Sequence, residues 1–257
     1  MRKINTESTE AQEKPVGFKA NRTPLVVMCV IVFLAAFVRV AFSIGTSIDS
    51  DFALSGGSVS TNNLYILSEL VGSGAFVLVD GSLYYPFGSV SPAPFLFALL
   101  MYPFAALLNV FVSDATLASS VVLAFSGPVF AVAAVIASYF LGKQVLKSKL
   151  AGYLTALFVA LCPVFVKESV FSNGTGTSFI MFLLVLCVFF LFKAIETVGY
   201  KEGEEATRKR AYGFAAIAGV ILAITAITWV DYRAILVPFL VVMIIQVLVD
   251  RFKGKDP

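Results

Sequence analysis

The 257-residue sequence has no histidine, one tryptophan, three cysteines and only 14% charged residues, against about 25% charged in an ordinary soluble domain. Without histidine the commonest general base and the commonest transition-metal ligand are both excluded. Any metal would have to be held by carboxylates, amides and carbonyls. Cys29, Cys162 and Cys187 lie inside apolar runs, and an odd number so placed argues against a disulfide framework or a zinc cluster. What the chain has in abundance is apolar surface: 59% apolar residues and 25 Phe, with a mean hydropathy of +0.91. One core of this size cannot hide so much, so most of it must face lipid. The composition is that of a polytopic, integral membrane protein with membrane lipid as a partner, and no nucleic-acid partner is expected.

Apolar runs long enough, or nearly so, to cross about 30 Å of hydrocarbon occur near 25–44, 92–112, 116–141, 150–166, 178–194, 212–230 and 234–249. Residues 1–23 are polar and mixed in charge, lack the pattern of a signal peptide, and read as a cytoplasmic tail ahead of a transmembrane domain over 24–257. Seven simple crossings would put the loops with Lys143, Lys147, Lys149, Lys201 and Arg208 to Arg210 outside, against the positive-inside rule. The run at 92–112 begins Ser91-Pro92-Ala93-Pro94 and carries Pro103 midway, and each proline removes a backbone donor. That run is expected to be re-entrant or interfacial. Six crossings then remain, with the N-terminus in the cytoplasm of a multi-pass cell-membrane protein. All but Arg39, Lys167 and Arg233 of the 19 Lys and Arg fall on the cytoplasmic side.

This topology makes 45–115 one external loop without Lys or Arg, carrying Asp49, Asp51, Glu69, Asp80 and Asp114. Inside it, Leu64, Leu67, Leu70 and Val71 have near-helical spacing up to Gly72-Ser73-Gly74, which predicts a short amphipathic helix on the membrane. Then come Val79-Asp80-Gly81 and Tyr84-Tyr85-Pro86-Phe87-Gly88. By spacing alone Asp80-Gly81 is a turn and the tyrosines an interfacial anchor.

The succession of a first helix flanked by basic residues, a long acidic loop with an amphipathic helix, an Asp shortly before Tyr-Pro-x-Gly, and prolines ahead of an apolar run resembles the oligosaccharyltransferase catalytic-subunit family, above all its archaeal and bacterial members. The resemblance continues through Lys167 to Phe179 and through Ile221 to Tyr232, so that it covers roughly 25–250. It implies an all-α membrane bundle of the C-type glycosyltransferase kind. It also implies transfer of a polyprenyl-linked oligosaccharide to Asn in protein N-glycosylation, with a divalent metal, Mn or Mg, if the protein is active.

The departures from the family pattern are specific. The family's first catalytic Asp would fall near Ser60, Thr61, Asn62 and Asn63, and its second-loop acids near Gly176 and Ser178. Carboxylates offset the dehydration of a hard divalent ion, and these replacements remove them. What the resemblance leaves as candidates is Asp80 with Asp49 or Asp51 as catalytic acids, and Asn62, Asn63, Tyr85 and Arg39 as donor-binding residues. The metal ligands are not identified. Arg39 would attract donor phosphates if it points inward, or snorkel to the interface if it does not. Asn173-Gly174-Thr175 and Asn21-Arg22-Thr23 are formal glycosylation sequons.

The family also continues into further helices and a soluble acceptor-recognising domain. The chain is therefore expected to be a fragment, one piece of a split enzyme, or a shortened relative. Three functions follow: an oligosaccharyltransferase-like enzyme acting on a lipid-linked sugar; a non-catalytic donor-binding or partner subunit of such a transferase; or a small transporter or structural bundle. The last is weakened because Arg39 and the Gly127-Pro128 kink are the only transporter-like features at membrane depth.

Overall fold

The computed structural model describes residues 23–41, 43–75, 79–80, 89–90, 95–200 and 205–229, with single positions at 237, 241, 244, 245 and 252. These residues form nine helices and one minimal antiparallel pairing. The helices are α1 (Thr23–Val40), α2 (Ile44–Asp49), α3 (Gly57–Ser73), α4 (Leu96–Val112), α5 (Ala115–Leu146), α6 (Lys149–Leu161), α7 (Pro163–Glu168), α8 (Thr177–Tyr200) and α9 (Glu205–Thr228). Between α3 and α4, β1 (Val79–Asp80) pairs with β2 (Ser89–Val90), Asp80 opposite Ser89. The all-α expectation holds, with that two-residue ladder as the one addition.

Three of these helices are long and apolar enough to cross a membrane: Ala115–Leu146, Thr177–Thr197 and Arg208–Thr228. Pro24–Val40, Leu96–Val112 and Lys149–Leu161 are apolar but shorter. The run expected at 150–166 is divided, because Pro163 begins a new helix after Cys162 leaves the helical conformation. The run at 92–112 forms a continuous helix from Leu96 with Pro103 inside it. Its 17 residues reach about 25 Å at 1.5 Å per residue. The run at 234–249 lies almost wholly outside the described residues.

Small residues let the helices approach. On α6, Gly152, Ala156 and Ala160 recur every fourth position and are buried, a stripe that brings backbones together in lipid, where apolar burial supplies no driving force. A β-carbon on Gly152 would lie 2.8 Å from the Tyr139 carbonyl of α5. The buried face of α1 has the same spacing, Ile31, Ala35 and Arg39, whereas Leu25, Val30 and Phe33 on its other side are exposed. A second core joins Ile66 and Leu67 of α3, Phe97 and Met101 of α4, Leu123 of α5, and Phe179 and Leu183 of α8. It holds the amphipathic helix of the long loop onto the bundle. That helix runs through Gly72-Ser73 and stops at Gly74, whose φ of 68° is left-handed and whose N–H caps the Leu70 carbonyl.

The ends of the bundle differ. The C-termini of α5 and α8 and the N-termini of α6 and α9 meet at one end, where Lys147 pairs with Glu196. At the other end lie Arg39, α7, the start of α3 and the loop from Ser169 to Gly176.

Candidate functional site

Proline 128 sits within α5 and has no N–H to give to the carbonyl four residues back. That freed carbonyl, of Ala124, accepts the N–H of Ser172 at 3.1 Å. The neighbouring Gly127 makes room for the approach: a β-carbon there would lie 3.0 Å from the Val170 carbonyl and 3.1 Å from that of Ser169. The short loop before α8 is thus seated on the kink of α5 by a backbone bond that an uninterrupted helix could not offer.

The same loop is bonded on its other sides. Phe171 N–H donates to the Arg39 carbonyl at 2.9 Å, and Ser55 N–H donates to the Ser172 carbonyl at 2.8 Å. The Ser172 hydroxyl donates back to the Ala53 carbonyl. From α3, the buried Asn63 amide donates to the Gly174 carbonyl at 2.9 Å. Gly56 lies against Asn173 and Thr175 so closely that any β-carbon would overlap the Asn173 carbonyl. Gly174, at φ 67°, reverses the chain there.

The first-loop turn is fixed in turn by its neighbours. Asp51 and Phe52 both have left-handed backbones, at φ 51° and 59°, a conformation costing about 1–2 kcal/mol for a residue with a side chain. It is held because Phe52 N–H donates to Ser47 at 2.7 Å, the Ser120 hydroxyl donates to the Phe52 carbonyl at 2.5 Å, and the Phe52 ring meets Phe171 edge-on. Strain of this kind persists only where the surroundings over-determine it.

Arg39 lies beneath this junction and is 0% exposed. Its Nε donates to the Ser169 hydroxyl at 2.7 Å. One terminal nitrogen donates to the Ala35 carbonyl at 2.8 Å and to that of Ala160 at 3.0 Å, and the guanidinium stands 5.0 Å from the Phe165 ring centre. The other terminal nitrogen, Nη2, has no hydrogen-bond partner among the described residues. The inward reading of Arg39 is therefore the one adopted, and its contacts are carbonyls, a hydroxyl and an aromatic face.

The remaining candidates are distributed unevenly. Asn63 and Arg39 grip the second loop from opposite sides. Asn62, next to Asn63 on α3, is half-buried, and Asp49 and Asp51 are exposed on and just after α2. Asp80 sits in β1, and Tyr85 lies outside the described residues. Asp114 is used as the cap of α5, accepting the N–H groups of Thr116 and Leu117 at 2.9 and 3.0 Å. Asn173 is 8% exposed, and its side-chain oxygen accepts from the Thr175 N–H and hydroxyl. The sequon there is folded into a turn. Asn21 lies outside the described residues.

Sequence reasoning missed Ser169, Ser172, Ser120 and Gly56, each joined to a partner far along the chain. Gly127-Pro128 was visible as a kink, and the carbonyl it frees was the available clue to the docked loop.

Hard divalent cations take six or more oxygens with carboxylates among them. No three Asp, Glu or Cys side chains come together among the described residues. Toward the first loop, Ser169 to Gly176 turn hydroxyls, amides, carbonyls and the Phe171 ring. This donor set does not fit such an ion.

Residues 72–255 match the family model described as oligosaccharyl transferase STT3, N-terminal, which is well over half of the chain. The chain belongs to the STT3 family. No curated protein sequence matches it. Among solved structures, the Archaeoglobus fulgidus oligosaccharyltransferase tethered to an acceptor peptide with an NVT sequon is similar at 18% identity and a TM-score of 0.64, covering 84% of this chain and 25% of that one. The oligosaccharyltransferase AglB of the same organism, with an inhibitory peptide and a dolichol-phosphate, gives 18% identity, a TM-score of 0.60, and coverage of 81% and 24%. The form with Zn and sulfate gives 20% identity, a TM-score of 0.58, and coverage of 79% and 25%. The chain thus has the membrane fold of STT3 proteins and spans about a quarter of the length of these relatives.

Proposed function

We propose that this STT3-family chain binds a polyprenyl-phosphate-linked oligosaccharide at the junction of its two loops and takes part in transferring it to Asn in protein N-glycosylation. The observation that carries the reading is the docking of the loop before α8 onto the proline-freed carbonyl of α5, with Asn63 and Arg39 closing it from either side. Irregular backbone of this kind is tolerated in a membrane protein where it lines a site and not where it faces lipid. The relatives seen with dolichol-phosphate and with acceptor peptides support the same donor and acceptor classes.

In this reading the N-terminus is cytoplasmic, six helices cross the membrane with the 92–112 segment re-entering, and 45–115 faces outward. Placing the loops so leaves seven of the 16 acids outside and nearly all Lys and Arg inside. Asn63 shapes the donor site through its grip on Gly174, and Arg39 holds the loop in place from below. Asn62 and Tyr85 are assigned to the donor side, and Asp80, Asp49 and Asp51 are the acids available for catalysis.

The scarcity of clustered carboxylates among the described residues favours a second reading, in which the chain handles donor as a partner subunit and another subunit carries out transfer. The two are separated by incubating the purified protein with a polyprenyl-diphosphate-linked oligosaccharide and a sequon peptide. Glycopeptide formation that is lost in Asp80→Asn supports catalysis by this chain. Donor binding without glycopeptide, restored to transfer by an added STT3 catalytic subunit, supports the partner role. Absence of donor binding overturns both.

A further inference from the structure

The end of the bundle opposite the loop junction carries Lys143, Lys147, Lys149, Arg208 and Arg210, all exposed. A face of this kind draws anions to it. Among the described side chains one carboxylate stands there, Glu196, and it is already taken by Lys147 and, at 3.2 Å, by Gln144.

Lys193 lies deeper. It is half-buried and falls inside the apolar span Thr177–Thr197, four residues short of its end, which is about 6 Å at 1.5 Å per residue. Its ammonium stands 4.7 Å from the Phe214 ring centre and 5.7 Å from that of Phe189, and the Phe214 ring stacks on Phe190 at 6.3 Å. The rings hold the charge in place but supply no anion. Glu196 is three positions further along α8 and within reach by helical spacing, yet it is turned to α5, and Lys193 forms no ion pair among the described residues. Arg210 is one turn before Phe214 on the same face of α9. The α8–α9 groove therefore carries a cation from each helix beside one aromatic floor. At or below this depth, Phe192 of α8 and Ile217 and Val220 of α9 are exposed apolar side chains.

Depth and neighbours select the occupant. A dissolved anion would have to shed its water against hydrocarbon to reach Lys193, and an acidic protein surface could meet these residues only by entering the membrane. A glycerophospholipid brings a phosphate joined to two acyl chains, and basic pockets between membrane helices suit anionic headgroups. The lipid-linked donor is phosphorylated too, but its proposed place is at the far end of α8, whose 24 residues span about 36 Å.

We propose that the groove between α8 and α9 binds the headgroup phosphate of an anionic glycerophospholipid through Lys193 and Arg210, with the acyl chains along the exposed apolar face. The proposal stands apart from the donor-binding reading.

The test uses the full chain in neutral detergent, given phosphatidylglycerol, phosphatidylcholine, polyprenyl phosphate or inorganic phosphate, with bound lipid counted by native mass spectrometry. Phosphatidylglycerol is expected to be retained about tenfold or more over phosphatidylcholine. Lys193→Gln and Arg210→Gln should each lower that preference about fivefold, Lys193→Arg should keep it, and Lys167→Gln at the other end should leave it unchanged. Arg210 is exposed, so its variant reports on the site without disturbing the packing around Lys193. In phosphatidylcholine nanodiscs, added phosphatidylglycerol should slow hydrogen exchange over 205–214 in the unaltered chain and not in Arg210→Gln. Equal retention of the two phospholipids, or a preference lowered as much by Lys167→Gln as by Lys193→Gln, overturns the site. Displacement of phosphatidylglycerol by inorganic phosphate would make it a site for dissolved anions, and displacement by polyprenyl phosphate a site for the donor lipid; either overturns the proposal.

Discussion

At one end of the bundle polarity is carried by long charged side chains; at the other it is carried by hydroxyls, amides, backbone groups and one enclosed guanidinium. Lys147 and Glu196 meet at the first end with side chains 64% and 44% exposed, and Gln144 reaches the same carboxylate at 3.2 Å. Arg39 lies at the second end, wholly buried and bound to Ser169, Ala35 and Ala160. An exposed ion pair gains little because water and salt screen it and two long side chains must be ordered to form it. A buried polar group that loses its partner bears the full cost of desolvation. The charged end is therefore built to tolerate change, and the loop junction is not.

Substitutions ranked across the two ends can break that contrast. The largest effect is expected from Arg39→Ala, which leaves a void and removes three hydrogen bonds, lowering stability by about 2–4 kcal/mol. Arg39→Met should cost less, since it fills more of the void and also removes a guanidinium that has no carboxylate against it. Thermal unfolding of the purified protein in detergent measures both, and a Met variant less stable than the Ala variant would count against the packing argument.

Gly56→Ala comes next, at about 1–3 kcal/mol, because its β-carbon would overlap the Asn173 carbonyl and lie 2.5 Å from Thr175 Cγ2. Faster hydrogen exchange confined to 169–177 is the accompanying sign. Asn63→Ala, which strands the Gly174 carbonyl, should cost about 1–2 kcal/mol and weaken donor binding as well. Lys147→Ala should cost less than about 0.5 kcal/mol and leave donor binding alone. If the Lys147 variant proved as damaging as the Asn63 variant, the contrast between the ends would fail.

Much of the architecture was legible because its signals are local. Apolar runs marked the helices of the bundle, the spacing from Leu64 to Val71 marked α3, and the ordered motifs marked the STT3 resemblance. Local reading was coarser at prolines. Cys162-Pro163 splits a run whose apolar composition is continuous, while Pro103 is accommodated in an unbroken helix. The junction itself was less legible for a physical reason. Ser169 meets Arg39 across 130 positions, and Asn63 meets Gly174 across 111, and no periodicity in one sequence encodes such pairings. Asn63 was reached through the family resemblance and Arg39 as a charge inside an apolar helix, and the serines that complete their contacts carried no signal of their own.

The proposed binding of a lipid-linked glycan at the loop junction needs hydroxyls, amides and backbone groups with Arg39 enclosed among them, and no clustered carboxylates. Its most direct test is hydrogen exchange of the full chain in nanodiscs, with and without a polyprenyl-diphosphate-linked oligosaccharide and with divalent metal removed by chelator. Slowed exchange over 43–57 and 169–177 is expected, unchanged by the chelator and abolished in Asn63→Ala. Exchange that is unaltered at both segments, or slowed only when Mn or Mg is added back, would contradict it.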